Sequence, residues 1–165
     1  MPIDNLSQFK ILIVDDERLI QRLVYDVLTS LGFINVTVAN SGRKALEHVA
    51  KTKFDFVITD WRMEDMDGIE IVRGVRGDPH CLNYTTPIIM LTGNTEAYYV
   101  KTAIGAGVNA YLLKPFSAEQ LVKRIRTIIE FPRDFVVSKQ YTGPDRRHGN
   151  QPPIAGIERR APRKK

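Results

Sequence analysis

Apolar residues in the first 130 positions fall into two alternating patterns. Short, continuous, mostly β-branched runs occupy 10–14, 33–39, 54–60, 87–92 and 108–113, and they predict strands buried on both faces. Between them, apolar residues recur at spacings of three and four, which predicts helices over 17–31, 41–51, 68–77, 95–106 and 117–130. The first of these carries Leu19, Leu23, Val27 and Leu31 as its apolar stripe. Ser117 with Gln120 three residues on forms a capping-box signature at the start of the last helix, and Gly32 and Gly107 stand where helices should stop. Five strand–helix pairs in this length predict an α/β fold, a parallel sheet covered by helices on both faces. Past residue 130 the periodicity ends. The chain therefore divides into a folded domain over 8–130 and a tail over 131–165, with 140 onward predicted to be disordered.

Charge sharpens that boundary. The formal net charge is +5, but 131–165 holds nine Lys/Arg against three Asp/Glu, which leaves fifteen against sixteen in the rest. The domain is thus near neutral and the basic character belongs to the tail, which also contains five of the nine prolines. No apolar run approaches the roughly 18 residues that span a bilayer, and the first ten residues lack a signal-peptide pattern. Cys81 is the single cysteine, and His48, His80 and His148 make no metal-ligand spacing. These features together predict a cytoplasmic protein with no membrane span.

In open parallel sheets the chemistry gathers at the carboxyl ends of the strands. Asp15 and Asp16 follow the first predicted strand, Asp60 ends the third, Thr92 the fourth, and Lys114 follows the fifth. Each alone has an ordinary explanation: a helix cap, a hydrogen-bond filler, a surface charge. Brought to one rim, three carboxylates repel one another unless a cation neutralises them. An all-oxygen donor set without cysteine or nearby histidine suits Mg²⁺. A carboxylate so placed is a competent nucleophile toward phosphorus, with Lys114 and Thr92 available to phosphoryl oxygens. Gly93 has no side chain to block the approach.

The Asp15–Asp16 pair, the stretch Asp60-Trp61-Arg62-Met63-Glu64-Asp65-Met66-Asp67-Gly68, Thr92, and Tyr111 with Lys114-Pro115-Phe116 resemble the CheY-like response-regulator receiver family over about residues 8–130. The resemblance implies a flavodoxin-like, doubly wound five-stranded sheet in order 2-1-3-4-5 with five helices. It implies that Asp60 is the phosphoacceptor and that Asp15, Asp16, Asp60 and the Arg62 backbone carbonyl bind Mg²⁺. A cis peptide before Pro115 and a switch pair of Thr92 and Tyr111 are implied as well. The family's partners are a histidine kinase or phosphotransfer protein upstream and a protein docked on the fourth helix, fifth strand and fifth helix downstream. Here that surface would include Tyr98, Tyr99, Lys101 and Lys123. Such a protein is a phosphoacceptor switch and not a turnover enzyme. A phosphatase built on an Asp-x-Asp pair is disfavoured because Trp61 and Arg62 follow Asp60. Two departures stand out. Glu64 occupies a position where receivers often carry proline, and Arg62 and Asn94 flank the site at positions that tune phosphate lifetime.

The tail holds a near-repeat, Gly143-Pro144-Asp145-Arg146-Arg147 and Gly156-Ile157-Glu158-Arg159-Arg160. It is too short for a DNA-binding domain and shows no helix–turn–helix pattern. Paired arginines beside an acid suit a guanine nucleotide better than a featureless polyanion, since the fork matches O6/N7 and the acid accepts from N1 and N2. The tail also resembles arginine-rich extensions of CheY-like proteins that bind cyclic di-GMP and act at the flagellar motor. That resemblance makes Asp145, Arg146, Arg147, Glu158, Arg159 and Arg160 candidate nucleotide contacts. A plain basic tail, or attraction to RNA or a membrane surface, is the alternative reading.

Overall fold

The computed structural model describes residues 6–147. A short helical turn at Leu6–Gln8 leads into β1 (Lys10–Val14), followed by α1 (Arg18–Ser30), β2 (Asn35–Ala39), α2 (Gly42–Lys51) and β3 (Phe56–Asp60). Then come α3 (Gly68–Gly77), β4 (Ile88–Thr92), α4 (Ala97–Ala106), β5 (Ala110–Leu113) and α5 (Ala118–Glu130). The strands form one parallel sheet in the order β2-β1-β3-β4-β5, the predicted topology.

The strand runs are continuously apolar because both faces of the sheet are covered. Leu12, Val14, Val57, Met90 and Tyr111 point into the core under α2, α3 and α4. Their neighbours Ile11, Ile13, Phe56, Ile58, Ile89, Leu91 and Leu112 fill the core under α1 and α5. The first strand has the predicted bounds, and the other four begin one or two residues later than predicted. Phe33 and Phe54 are buried but lie in the approach to a strand, and Phe33 meets Phe56 edge-on at 5.7 Å.

The predicted stripe of α1 holds at Val27 and Leu31 and is corrected at Leu19 and Leu23. Leu19 is 83% exposed, and the buried face is Val24, Val27 and Leu28, with Ile20 and Leu31 packed against it. Both stripes satisfy helical spacing, but a strict spacing of four drifts around the helix, and the sheet selects the set whose mixed spacing of three and four stays on one face. The caps are as read. Ser117 Oγ accepts from the Gln120 N–H at 3.2 Å, and Gln120 Oε1 accepts from the Ser117 N–H at 2.9 Å. Gly107 closes α4 in the left-handed region at φ 99°.

The segment after α5 departs from its prediction. Phe135–Val137 (β6) and Thr142–Pro144 (β7) pair as an antiparallel hairpin, so order extends past 140. The hairpin is seated at the amino ends of β4 and β5. Its anchor is Arg76, buried in α3 without a carboxylate partner among the described residues and held by backbone carbonyls instead. Its guanidinium donates to Gly107 at 3.2 Å, Tyr84 at 2.6 Å and Thr86 at 2.7 Å, and lies 5.3 Å from the Phe135 ring centroid. Burial lowers its pKa to about 10, so it stays charged at neutral pH. Phe135 also meets Tyr84 at 5.2 Å, and the backbones of Gly107 and Gly143 approach so closely that neither has room for a side chain. A three-residue strand with one aromatic carries too little local signal to be read without these distant partners.

Candidate phosphoacceptor site

The carboxyl ends of β1, β3, β4 and β5 meet on one rim. Asp15 is fully buried and Asp60 is 5% exposed; with Asp16, they bring carboxylate oxygens within 4.8 Å of one another. The Lys114 ammonium sits among them, 2.9 Å from Asp60 Oδ1, 3.1 Å from Asp15 Oδ2 and 3.4 Å from Glu17 Oε1. Its backbone is fixed on both sides: the Lys114 N–H donates to the Thr92 carbonyl at 2.7 Å, and the Lys114–Pro115 peptide is cis, as the resemblance implied.

Burial pushes the Asp15 and Asp60 carboxyls above their ordinary range. The Glu17 N–H and Lys114 counter this at Asp15, and Lys114 counters it at Asp60. Burial pulls the Lys114 ammonium down, but Asp60 and Asp15 reverse this and leave it raised. One ammonium cannot neutralise three clustered acids. The donor set is all oxygen, and its spacing suits a small divalent cation whose bonds to oxygen are about 2.1 Å.

The loop after β3 is held by contacts that the sequence did not reveal. Asp65 accepts from the Gly42 and Arg43 N–H groups, both at 3.0 Å, at the start of α2. These backbone donors hold its carboxyl below the usual range. Asp16 Oδ2 accepts from the Glu64 N–H at 3.0 Å. Proline has no N–H, so Glu64 supplies a hydrogen bond that a proline at this position would forfeit. Gly68 donates to the Trp61 carbonyl at 2.7 Å, and a Cβ there would collide with the Asp60 carbonyl oxygen. The only sequence signal for these roles was the run of acids and glycine itself.

The remaining predicted residues are placed as follows. Thr92 is buried, and its Oγ1 accepts from the Asn94 N–H at 3.0 Å. Tyr111 is 5% exposed and turned into the core beside α4. Gly93 faces open space. Arg62 is exposed, with its guanidinium 3.5 Å from the Tyr99 hydroxyl. Trp61 is buried beside Asp60 and meets the Tyr99 ring edge-on at 5.3 Å. On the expected docking face, Tyr98 is 70% exposed and Lys101 and Lys123 are exposed. Asp145, Arg146 and Arg147 follow the hairpin at the opposite end of the sheet, away from the acids, whereas Glu158, Arg159 and Arg160 lie outside the described residues. Asp145 takes both its oxygens to Arg147, and the Arg146 guanidinium lies 3.5 Å above the Tyr141 ring.

The family model described as response regulator receiver domain matches residues 11–126. The chain belongs to that family. Receiver domains of this CheY-like kind act in two-component systems, with histidine kinases upstream. The chain is 40% identical over 121 residues to the chemotaxis protein CheY of Pseudomonas aeruginosa, covering 73% of this chain and 96% of that one. It is likewise 40% identical over 124 residues to chemotaxis protein CheY-3 of Vibrio cholerae, covering 75% and 94%. Among solved structures, the response regulator CheY4 of Vibrio cholerae superposes with TM-score 0.67 at 35% identity, over 73% of this chain and 98% of that one. The receiver domain of the sensor histidine kinase PA1611 of Pseudomonas aeruginosa superposes with TM-score 0.66 at 30% identity, over 74% and 98%, and has a magnesium ion coordinated in its active-site cleft. Among the described residues of this receiver, no helix is long and apolar enough to cross a membrane.

The raised carboxyls carry a stability consequence. An acid whose folded pKa lies above its unfolded value favours folding least once pH exceeds both, so Asp60 costs stability at neutral pH without a metal. Metal-free Asp60→Asn should therefore melt roughly 3 °C higher than wild type in calorimetry, while Mg²⁺ should raise the wild-type Tm and have much less effect on the variant.

Proposed function

We propose that this receiver accepts a phosphoryl group on Asp60, from a histidine kinase or phosphotransfer protein, in a Mg²⁺-dependent step. The observation that carries this reading is the placement of the Asp60 carboxylate, 2.9 Å from Lys114 and clustered with Asp15 and Asp16. Asp15, Asp16, Asp60 and the Arg62 carbonyl would hold the ion, which when bound neutralises charge on the carboxylates and on the incoming phosphoryl group. An Asp60 oxygen forms the new bond to phosphorus while the donor's bond to phosphorus breaks, and the histidine nitrogen leaves with the electron pair. Lys114 exchanges its contact with Asp60 for a phosphoryl oxygen. The Thr92 hydroxyl now only accepts, from Asn94, so its own proton is free to be donated to another phosphoryl oxygen.

The new dianion biases the conformation of the rim. Thr92 moves toward the phosphoryl group, and the inward position of Tyr111 is the one compatible with that move. The response is read by a protein on the face formed by α4, β5 and α5, with Tyr98, Tyr99, Lys101 and Lys123 at its surface. The protein acts in the cytoplasm as a phosphoacceptor switch and turns over no external substrate. Cyclic di-GMP at the tail is a second reading, favoured only by the ordering of Arg146 against Tyr141. It requires Asp145 to give up Arg147 for a guanine edge.

Trp61 offers a direct readout, since it is the single tryptophan and neighbours Asp60. Beryllofluoride with Mg²⁺ should change its fluorescence in the wild type and leave Asp60→Asn unchanged. An equal change in the variant would reject the assignment.

A further inference from the structure

The β6–β7 hairpin lies past residue 126, where the family match ends, and it ties together the far ends of two helices that start at the acceptor rim. α3 starts at Gly68, whose N–H donates to the Trp61 carbonyl beside Asp60, and its last turn carries Arg76. α4 starts at the same rim, where Tyr99 meets the Trp61 ring at 5.3 Å, and stops at Gly107. Each helix has ten residues, a span of about 15 Å. At the far end Arg76 Nε donates to the Gly107 carbonyl at 3.2 Å, and the Phe135 ring of β6 lies against the guanidinium. Gly143 of β7 sits directly on the end of α4. A Cβ on Gly143 would come 2.7 Å from Gly107 Cα, and a Cβ on Gly107 would strike the Thr142 carbonyl oxygen. Val108, the next residue, belongs to the core cluster that also holds Ala103, Ile104 and Tyr111. The hairpin is therefore seated one residue from the packing that keeps Tyr111 turned inward.

We propose that the hairpin is a built-in brace of the switch: by pinning the far ends of α3 and α4 it holds Tyr111 inward and so raises the affinity of the acceptor site for a phosphoryl group. This rests on the reading of Asp60 as phosphoacceptor. Tyr111 inward is the position compatible with Thr92 moving toward the phosphoryl group, and it persists only while α4 stays packed over the ring. A domain whose α4 is free at its far end spends part of its time with that packing loosened. Its apparent affinity for the phosphoryl group then falls by the fraction of time lost. Arg76 suits the part of anchor, because its donors are taken by backbone carbonyls of Gly107, Tyr84 and Thr86 and the hairpin shields those bonds from water.

The test is a titration of the full chain with beryllofluoride in the presence of Mg²⁺, read at Trp61. Gly143→Val, which drives β7 off Gly107, should weaken the midpoint about five- to tenfold, within the range of ordinary coupling between sites. Phe135→Ser, which strips the ring from Arg76, should do the same. Val137→Ser alters a side chain of the same hairpin that is 63% exposed, and it should leave the midpoint unchanged. If the first two variants do not fold, the wild type still decides, because coupling is reciprocal. The Asp145 and Ser138 N–H groups close the hairpin by donating to the Asp134 and Tyr141 carbonyls, and saturating beryllofluoride should slow their hydrogen exchange by about the same factor. Equal midpoints in all four proteins, or hairpin exchange in the wild type that ignores beryllofluoride, would overturn the brace while leaving Asp60 in its role. A wild type that binds no beryllofluoride at all would overturn the reading of Asp60 and the brace with it.

Discussion

Gly68→Ala should cost this domain about 3 kcal/mol and lower its Tm by about 10 °C, the upper end of what overpacking costs. The added methyl would lie against the Asp60 carbonyl oxygen, with the Thr59 hydroxyl also close at 3.2 Å. Neither neighbour is the yielding end of a long side chain: one is the backbone of a central strand, and the other is a short, fully buried side chain. Relief requires Gly68 and the loop before it to retreat, which breaks the Gly68 N–H donation to Trp61 and displaces the acceptor. Phosphoryl acceptance should fall together with stability. Gly105 in α4 supplies the contrast, because a Cβ there meets nothing within 4 Å. Gly105→Ala should be neutral or stabilise by about 0.5 kcal/mol through helix propensity. Urea unfolding of the two variants separates the claims; equal effects would show that the close approach at Gly68 is not a constraint.

Lys114→Met should be nearly as damaging, for an electrostatic reason. It removes the ammonium that touches Asp60, Asp15 and Glu17, leaving two buried carboxylates facing each other. Breaking a buried charge pair on one side costs about 3 kcal/mol. The sign with pH is fixed by the acids. Below the ordinary carboxylate pKa of 3.8 they are protonated in both folded and unfolded chains, and losing the lysine costs little. As pH rises through their raised folded values, the unfolded chain ionises first and the variant loses stability relative to wild type. The difference in unfolding free energy should therefore widen from about pH 4 to neutrality. Mg²⁺ should narrow it, and adding Asp60→Asn should recover part of the loss. Because Lys114 also serves a phosphoryl oxygen, the phosphorylation rate should drop at least about a hundredfold even with Mg²⁺ present. A stability deficit that stays constant with pH would contradict this account of the cluster.

How far the molecule could be read from its sequence depended on where each signal resides. The parallel sheet was legible because strands buried on both faces must be continuously apolar, whereas its strand order came from the family resemblance and not from the runs themselves. The rim was legible because strand ends converge in a parallel sheet, so Asp15, Asp60, Thr92 and Lys114 could be brought together without coordinates. The working face of α1 was not legible. Leu19–Leu23–Val27 and Ile20–Val24–Val27 both fit helical spacing, and only the position of the sheet decides between them. Asp65 and Glu64 were visible as acids, yet their partners are N–H groups on α2 and a carboxylate on the β1 loop, contacts that no local pattern encodes. The hairpin was missed for the same reason: its stability lies in Arg76, Tyr84 and Gly107, all far away in sequence. The arginine pairs could be seen in the sequence, but not that Asp145 would be engaged by Arg147.

The account depends most on Asp60 acting as the nucleophile of a metal-dependent phosphoryl transfer. Incubating the full chain with acetyl phosphate and Mg²⁺, then reducing with borohydride and mapping peptides by mass, tests this at the residue itself. The predicted result is conversion of Asp60 alone to the reduced product, abolished by a chelator and by Asp60→Asn. Modification at another residue, or at Asp60 with equal efficiency in the absence of any divalent ion, would contradict it.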